Sequence, residues 1–465
     1  MKNIVIVGGG IAGLAAAGLL VRQRKKNIII VESADRVGGL LKSFSYEKQG
    51  QFDHGTHYLA NIYGKEINEL FISCLPKNEW SILNGLNSDI SGVYFNQSLQ
   101  KNTVFADFRS FNPAQYKKYI GELFAHLNDT PDTKNTTENT AKSYLEKLYG
   151  QTIAKEVFEP ILNNIFGLSS SKLHEIAAKL IPLHRICLFN TPIANEILNT
   201  TILNSIHAYP SQLDLPDHLA PNYFSYYPKR RGMQTMIDSL ESYLLNSGVQ
   251  ILTNTKIVEA MVKNKVVQSL RLDNGSELPV SKFISALPLV GLSKLMGIYI
   301  GDTLSQMDKP KHTVITNIIL NKVNDLNGRQ YIYCYDSSLK TFRITNYNAL
   351  TNANEIKPPI TVESLHDEIP SKEQINKIII SELYLMKIIN SHDDVQFIET
   401  EILAYGFPCL SINNIVGLDK LRNQISNLRI TNMTKIGALN ENNIFFMKDV
   451  LLDVTKKIGA LHTTI

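Results

Sequence analysis

The spacing of apolar residues changes twice along the first 40 positions of the chain. Short apolar runs over residues 3–7 and 27–32 predict two strands, and the apolar-rich segment from residue 11 to about residue 24 predicts a helix between them. A glycine-rich stretch separates the first strand from this helix. Strand, helix and strand in this order form a βαβ unit, which is typical of a parallel sheet.

The middle of the chain has a helical period. Asn112 and Pro113 supply an N-cap and a first-turn proline for a predicted helix over 114–127, and residues 140–178 contain at least two more stretches with helical spacing. The segment 128–139 is rich in Asn, Thr and Asp, which predicts a loop. We therefore expect a mainly helical insertion over 111–210.

The α/β pattern resumes after the insertion. Apolar residues from Met233 onward have helical spacing, and Gly248 provides a stop signal. A strand over 249–252, two further β-rich runs, a hairpin turn at 273–275 and a strand over 282–286 follow. Residues 310–405 then mix short strands with polar turns, so the expected class is α/β in the first part and α+β in the second.

Composition excludes several classes of protein. The 465 residues are 44% hydrophobic, enough for two or three domains, and the net charge of +4 is spread along the chain, so nucleic acid is not an expected partner. The four cysteines lie far apart, which argues against disulfides and zinc and is typical of the cytoplasm. No segment predicts a transmembrane helix. A peripheral membrane contact and the oligomeric state are left open.

A glycine motif after the first strand predicts a dinucleotide site. The run 8–13 satisfies G-x-G-x-x-G, and Glu32 ends the next strand 19 residues beyond Gly13. Gly8 permits a tight turn, Gly10 lets a pyrophosphate approach backbone N–H groups at the positive end of the helix, and Gly13 allows close packing of helix and strand. Glu32 would accept hydrogen bonds from ribose hydroxyls. The alternative is a structural turn that binds nothing.

The continuation after Glu32 makes this site more specific. Arg36 is followed by Gly38 and Gly39, so that an acid precedes R-x-G-G. This pattern resembles the flavoprotein superfamily of amine oxidases, protoporphyrinogen oxidases, phytoene desaturases and UDP-galactopyranose mutases. The resemblance implies noncovalently bound FAD in a Rossmann-like domain of the two-dinucleotide-binding type, joined to a mixed-sheet substrate domain and a helical insertion.

Four later blocks extend the resemblance over nearly the whole chain. Residues 52–57 resemble the F-D-x-G-x-H element that runs beside the isoalloxazine ring, and residues 227–233 resemble the element Y-P-K-x-G-G-[MI]. Residues 254–258 and 284–288 are similar to the N-T-x-V and I-S-A-x-P strands. The implied domains are FAD-binding over 1–60, 211–290 and 406–465, substrate-binding over 61–110 and 291–405, and the helical insertion over 111–210.

The resemblance also implies a set of cofactor contacts. In chain order they are Gly8, Gly10, Ile11, Ala12, Gly13, Glu32, Ser33, Arg36, Gly38, Gly39, Leu40, Gly55, Thr56, His57, Ile257, Ala286, Gly437 and Asp449.

Residues 331–348 and the helical block 158–173 look closest to the branch that holds UDP-galactopyranose mutase. This implies a small organic substrate, with a nucleotide sugar as one class. The C-terminus departs from the pattern, because Ala438 stands where the branch has an arginine that helps to bind diphosphate.

Three residues are candidates for catalysis. His57 is placed beside the ring by resemblance and can move protons near neutral pH, the alternative being a structural hydrogen bond to a backbone carbonyl. Arg343 with Tyr347 comes from a segment that lines the substrate side in the related mutases, the alternative for Arg343 being a structural ion pair. Neighbouring His54 is expected to be structural.

Three functions follow from the sequence. The first is an FAD-dependent oxidoreductase in which His57 assists proton movement, and the second is a redox-neutral sugar mutase. The third is a noncatalytic flavin-binding module, which the altered C-terminus permits. The chain has no Ser-His-Asp order, metal-ligand cluster or P-loop lysine that would indicate a hydrolase, metalloenzyme or NTPase.

Overall fold

The structure is a computed structural model that describes residues 2–128, 139–197, 203–321, 326, 328–353 and 355–460. The predicted loop over 128–139 falls mostly on residues outside this part of the chain. Within it, the strands β1 to β21 are, in chain order, Asn3–Val7, Ile28–Val31, Ser43–Tyr46, Gly50–Asp53, Leu59–Ala60, Trp80–Asn84, Ser91–Phe95, Ser98–Gln100, Ala106–Asp107, Ile186–Cys187, Phe224–Pro228, Gln250–Leu252, Ile257–Lys263, Val266–Leu272, Glu277–Ser285, Lys311–Leu320, Tyr331–Cys334, Thr341–Asn346, Pro359–His366, Val395–Phe407 and Met433–Lys435.

The helices α1 to α15 of the described residues are, in chain order, Ile11–Arg22, Lys65–Ile72, Pro113–Asn128, Ala141–Tyr149, Gln151–Ile153, Glu159–Phe166, Glu175–Leu180, Thr191–Ile197, Gln234–Asn246, Leu289–Leu295, Gly301–Ser305, Tyr347–Thr351, Lys372–Leu385, Ile412–Asn427 and Met447–Gly459. Among the residues that the structure describes, none of these helices combines the length and the apolarity needed to cross a bilayer.

The chain folds into two compact units, each built from separate stretches of sequence. Unit 1 comprises residues 1–82, 223–307 and 415–465, and unit 2 comprises residues 83–222 and 308–414. The described helices between residues 111 and 210 lie within unit 2.

Unit 1 is organised by a sheet with strand order β12-β2-β1-β15-β14-β13, in which β21 also pairs with β15. The pairs among β12, β2, β1, β15 and β21 are parallel, whereas β13 and β14 run antiparallel to their neighbours. All four residues of β2 are buried isoleucine or valine, as expected for a strand covered on both faces. Helix α1 is rich in alanine and leucine and buries nine of its residues, so it packs closely against its surroundings.

Unit 2 contains a second seven-stranded sheet with the order β20-β16-β19-β18-β17-β7-β8. It is antiparallel except where β17 pairs with β7. Side chains of one face, such as Val314 and Ile360, form a core with Ile375, Ile379 and Leu383 of α13. The same strands carry polar residues at the alternate positions, which therefore point to the other face.

The predicted fold class is confirmed, including the opening βαβ unit, the helical insertion and the mixed sheet. The expectation of short strands over 310–405 is wrong in one respect: β16 has 10 residues and β20 has 13, and they pair along most of their length. Helix α13 was not predicted, although Ser371 and Gln374 form a capping box at its start.

Candidate cofactor site

Unit 1 has a cleft of about 450 Å³ at the end of its parallel strands. The last residues of β1 and β2 and the residues that follow β15 lie on its wall. The carboxyl end of a parallel sheet is where such folds bind ligands. The lining residues are Val7, Gly8, Gly10, Val31, Glu32, Ser33, Thr255, Lys256, Ile257, Ala286, Leu287 and Pro288.

The glycines of the first motif meet different surroundings. A Cβ on Gly13 would lie 1.9 Å from the carbonyl oxygen of Gly8, so no other residue fits where α1 packs on the turn. A Cβ on Gly10 would meet only the Cα of Gly39, at 3.8 Å, and would otherwise enter open space at the cleft. The absence of a side chain at Gly10 therefore leaves room for a ligand rather than for protein.

The second glycine pair runs directly beside the first. The N–H of Gly38 donates to the carbonyl oxygen of Gly9 at 2.8 Å. Gly38 has φ +120°, a conformation that L side chains rarely adopt. The two glycine-rich segments thus form one backbone surface at the start of α1.

Glu32 joins this backbone surface to the end of β2. Its Oε2 accepts a hydrogen bond from the N–H of Gly9 at 2.7 Å, and its Oε1 accepts one from the N–H of Ala34 at 2.8 Å. Its Oε1 also accepts a hydrogen bond from the Ser33 hydroxyl at 3.3 Å. A carboxylate offers about four lone-pair sites, so acceptor capacity remains for a ligand in the cleft that Glu32 lines. Glu32 therefore holds the glycine turn in place as well as lining the site.

The start of α1 is suited to an anion. Its N-cap, Gly10, makes no side-chain capping hydrogen bond, and the first turn, which holds Ile11, Ala12 and Gly13, contains no acidic residue. Backbone N–H groups at such an end attract negative charge.

Three other predicted contacts lie around this end of the helix. The Arg36 guanidinium donates to the carbonyl oxygen of Ser43 at 2.7 Å, and Leu40 is 62% exposed. A Cβ on Gly437 would lie 3.7 Å from the carbonyl oxygen of Ala286 and 3.9 Å from the side chain of Ala12. The loop that carries Gly437 therefore reaches the cleft.

The predicted flavin-side residues Gly55, Thr56 and His57 belong to a short segment, residues 54–58, that joins β4 to β5. His54 stacks on Phe44 with ring centroids 4.2 Å apart. Burial, together with the positive charges of Lys42 and Arg36, lowers the pKa of His54 to about 4, so its ring is neutral near pH 7. This geometry suits the structural role expected of His54.

Sequence reasoning missed the buried carboxylate that precedes this segment. Asp53 is fully buried, and Tyr227 donates to it from a block that the sequence had already singled out. Both residues belong to motifs of the sequence, Asp53 to block 52–57 and Tyr227 to block 227–233. Their pairing across 174 positions is visible only in the fold.

The other candidate catalytic residues lie in unit 2. The Nε and Nη2 atoms of Arg343 donate to the two carboxylate oxygens of Glu363 at 2.6 and 2.9 Å. Tyr347 is fully buried, and its hydroxyl lies 2.8 Å from Oγ1 of Thr361. Their catalytic roles stay predictions.

Asp449, predicted as a cofactor contact, caps its own helix. Its Oδ2 accepts hydrogen bonds from the N–H groups of Phe446 at 2.9 Å and Phe445 at 3.3 Å. Among the described residues, no group of three or more His, Cys, Asp or Glu side chains could hold a metal ion.

Comparisons with known proteins agree with this geometry. A family model described as an NAD(P)-binding Rossmann-like domain matches residues 6–72. Over its whole length the chain superposes on reduced UDP-galactopyranose mutase with a TM-score of 0.77 and 15% identity, covering 96% of that chain. It superposes on a putative protoporphyrinogen oxidase from Exiguobacterium sp. 255-15 with a TM-score of 0.69 and 16% identity, covering 99% of that chain. The chain therefore has the fold of these two proteins, which agrees with its resemblance to the flavoprotein superfamily.

Sequence matches to curated proteins cover less of the chain than the structural superpositions do. Protoporphyrinogen oxidase of Bos taurus is 24% identical over 312 residues, which are 63% of this chain and 61% of that protein. The first curated relatives are matched over 10%, 31% and 61% of their own lengths. The predicted resemblance to this superfamily is confirmed, and a dinucleotide-binding domain is confirmed at the level of the fold.

Proposed function

We propose that the cleft of unit 1 binds FAD and that the protein is an FAD-dependent oxidoreductase acting on a small organic substrate. The observation that carries this proposal is the backbone surface made by Gly9, Gly10, Gly38 and Gly39, where the site of a missing side chain opens into the cleft. The curated relatives include protoporphyrinogen oxidase and L-amino-acid oxidase, which supports an enzyme.

The residues present fit two polar parts of an adenine dinucleotide, the charged diphosphate and the ribose hydroxyls. The uncapped start of α1 and the N–H groups of the glycine turns would bind the diphosphate, and Arg36 would add a positive charge. Glu32 would accept a hydrogen bond from the ribose hydroxyls with the acceptor capacity that Gly9, Ser33 and Ala34 leave.

Bound FAD would supply hydride acceptance, so the protein needs to contribute orientation, electrostatics and proton movement. We assign proton movement to His57, since an imidazole titrates near neutral pH and the resemblance places this residue on the flavin side.

A redox-neutral mutase is the second candidate, because reduced UDP-galactopyranose mutase is a close structural neighbour. Two features of this chain weigh against a diphosphate-bearing sugar. Ala438 stands where the resemblance to the mutases implies an arginine, and Arg343 is already bound bidentately by Glu363. If Arg343 turned to a phosphate, its buried ion pair with Glu363 would be broken, and breaking a buried pair costs about 3–5 kcal/mol.

The flavin content of the purified protein tests the cofactor. We expect yellow protein whose flavin absorption is released on denaturation. Colourless protein that FAD cannot reconstitute would overturn the proposal and favour a module without flavin.

Anaerobic mixing with substrates tests the reaction. Bleaching of the flavin by a candidate substrate without added reductant indicates oxidation. Turnover of UDP-galactopyranose only after prior reduction indicates the mutase and contradicts the oxidoreductase.

His57→Ala is expected to retain FAD and to lose about 100-fold in turnover, as for loss of an acid–base group. His54→Ala is the matched control in the same segment, and we expect it to affect turnover much less because its ring packs on Phe44. Unchanged turnover in His57→Ala would remove His57 from the mechanism.

A further inference from the structure

Both ends of the segment 54–58 are attached to the same strand. At one end, Leu59 of β5 pairs with Tyr226 of β11 in an antiparallel ladder. At the other end, the Oδ2 atom of Asp53 accepts a hydrogen bond of 2.6 Å from the hydroxyl of Tyr227. Two consecutive residues of β11 therefore set the distance that these five residues span.

Asp53 is tied to more than β11. Its Oδ1 accepts hydrogen bonds from the Ser43 hydroxyl at 2.6 Å and from the N–H of Met233 at 2.8 Å. Asp53 is completely buried, so each of these donors replaces water that the carboxylate has lost. The end of β4 is thereby fixed to β3, to β11 and to the start of α9.

The hydroxyls of Tyr227 and Ser43, which donate to Asp53, also accept hydrogen bonds from backbone N–H groups at the start of α9. The Tyr227 hydroxyl accepts from the N–H of Gly232 at 2.9 Å, and the Ser43 hydroxyl accepts from the N–H of Gln234 at 3.1 Å. With the direct bond from Met233, three successive backbone N–H groups lead to one carboxylate. The positive end of a helix stabilises such a negative charge.

We propose that Asp53 and Tyr227 are positioning residues for the segment 54–58, and that they hold its His57 in register with the bound flavin. This inference rests on the proposed function, because it requires the segment to flank FAD. In this proposal Asp53 and Tyr227 act through the segment 54–58 and not by contacting the cofactor.

The charge of Asp53 provides a readout of this role. Burial raises the pKa of Asp53 to about 6, while hydrogen bonds from Ser43, Tyr227 and Met233 and the charge of Arg231 lower it in opposition. The carboxylate of Asp53 is therefore mostly charged at about pH 7. It becomes protonated as the pH falls from about 7 to about 5.

Arg231 and His54 are charged or titratable residues near Asp53. Arg231 lies over the Phe52 ring at 4.5 Å and donates to the carbonyl oxygen of Gln51 at 2.6 Å, so these contacts hold its guanidinium beside β4. His54, with its pKa of about 4, stays neutral over the same interval.

The experiment follows the visible circular dichroism of bound flavin in the full-length, FAD-loaded protein from about pH 4.5 to about pH 8.5, where Asp53 is expected to titrate. In the wild type we expect a transition near the pKa of Asp53. In Tyr227→Phe the transition should move to higher pH, because a hydrogen bond that lowers the pKa is removed, while the flavin content is unchanged. Tyr226→Phe, the neighbouring tyrosine on β11, is the matched control and should leave the transition in place.

Ser43→Ala removes the other lowering hydroxyl and should shift the transition in the same direction, which keeps the test valid should Tyr227→Phe not fold. A wild-type spectrum without a transition, or one that neither variant moves, would overturn the inference. Loss of FAD from folded Tyr227→Phe would also overturn it, since the pair would then support the whole site. Absence of flavin from the wild type would instead be a failure of the proposed function.

Discussion

The cleft of unit 1 and the polar sheet face of unit 2 use polar groups in opposite ways. At the cleft, the groups available to a ligand are backbone N–H groups at the start of α1 and the carboxylate of Glu32, which keeps acceptor capacity beyond its three donors. On the sheet of unit 2, Arg343 is bound by both oxygens of Glu363, and Tyr347 contacts Thr361. The first region keeps hydrogen-bonding capacity for a ligand, whereas the second uses it within the protein.

This difference shows why residue type alone is a weak guide to a site. A glycine identifies the cleft because its missing side chain leaves space, and that property does not depend on a partner. An arginine identifies a phosphate site only when no carboxylate has already bound it, and that depends on the strand beside it.

Gly13→Ala should have the largest effect, because it destroys the backbone surface on which the cleft depends. A Cβ only 1.9 Å from the Gly8 carbonyl oxygen forces the turn away from α1. We expect the purified variant to contain no flavin, measured by absorption after denaturation. Gly459→Ala is the control in unit 1, since a Cβ there meets nothing within 4 Å. Normal flavin content in Gly13→Ala would contradict this account of the glycine turn.

Glu363→Gln tests the sheet of unit 2, where polar groups are paired within the protein. It leaves Arg343, whose side chain is 20% exposed, without its charged partner, and we expect the free energy of unfolding to fall by about 3–5 kcal/mol in urea denaturation. Glu259→Gln in unit 1 breaks a pair in which Arg271 and Glu259 are 48% and 43% exposed, and should cost about 1 kcal/mol or less. Equal losses from the two variants would contradict the distinction between buried and exposed pairs.

His207→Phe should have the smallest effect of the three changes, and the effect is on the pH dependence of stability. It tests a buried residue of unit 2. His207 is fully buried, and burial and the nearby Arg185 lower its pKa to about 4 from the usual value of about 6.5. The unfolded chain therefore binds a proton as the pH falls from about 6.5 to about 4 while the folded state does not, so stability is lost over this interval.

Phenylalanine cannot take up that proton and keeps the ring contact with Phe189, whose centroid lies 5.8 Å away. We expect the thermal midpoint of His207→Phe to fall less than that of the wild type between about pH 6.5 and about pH 4.5. His54 and His366, whose pKa values are also lowered to about 4, are unchanged in both proteins and cancel in the comparison. Parallel pH curves would show that His207 does not contribute.

Much of unit 1 could be predicted from sequence because its signals are local. The strand over 3–7 was placed at its observed bounds, and the predicted helix from residue 11 ends two residues earlier, at Arg22. Of the predicted cofactor contacts, Gly8, Gly10, Glu32, Ser33, Ile257 and Ala286 lie on the cleft. The lengths of β16 and β20 were not predicted, since they are set by their pairing over most of their residues rather than by turn residues nearby.

What the sequence alone determined is the βαβ opening, the glycine turn and its acid, because backbone sterics at Gly13 and the spacing to Glu32 act within about 30 residues. Tertiary structure decided which charged and polar side chains are already paired: Arg343 with Glu363 across two strands, and Asp53 with Tyr227 across 174 positions. The physical reason is that the desolvation of a polar group and the partner that compensates for it are properties of the packed interior, where residues distant in sequence meet.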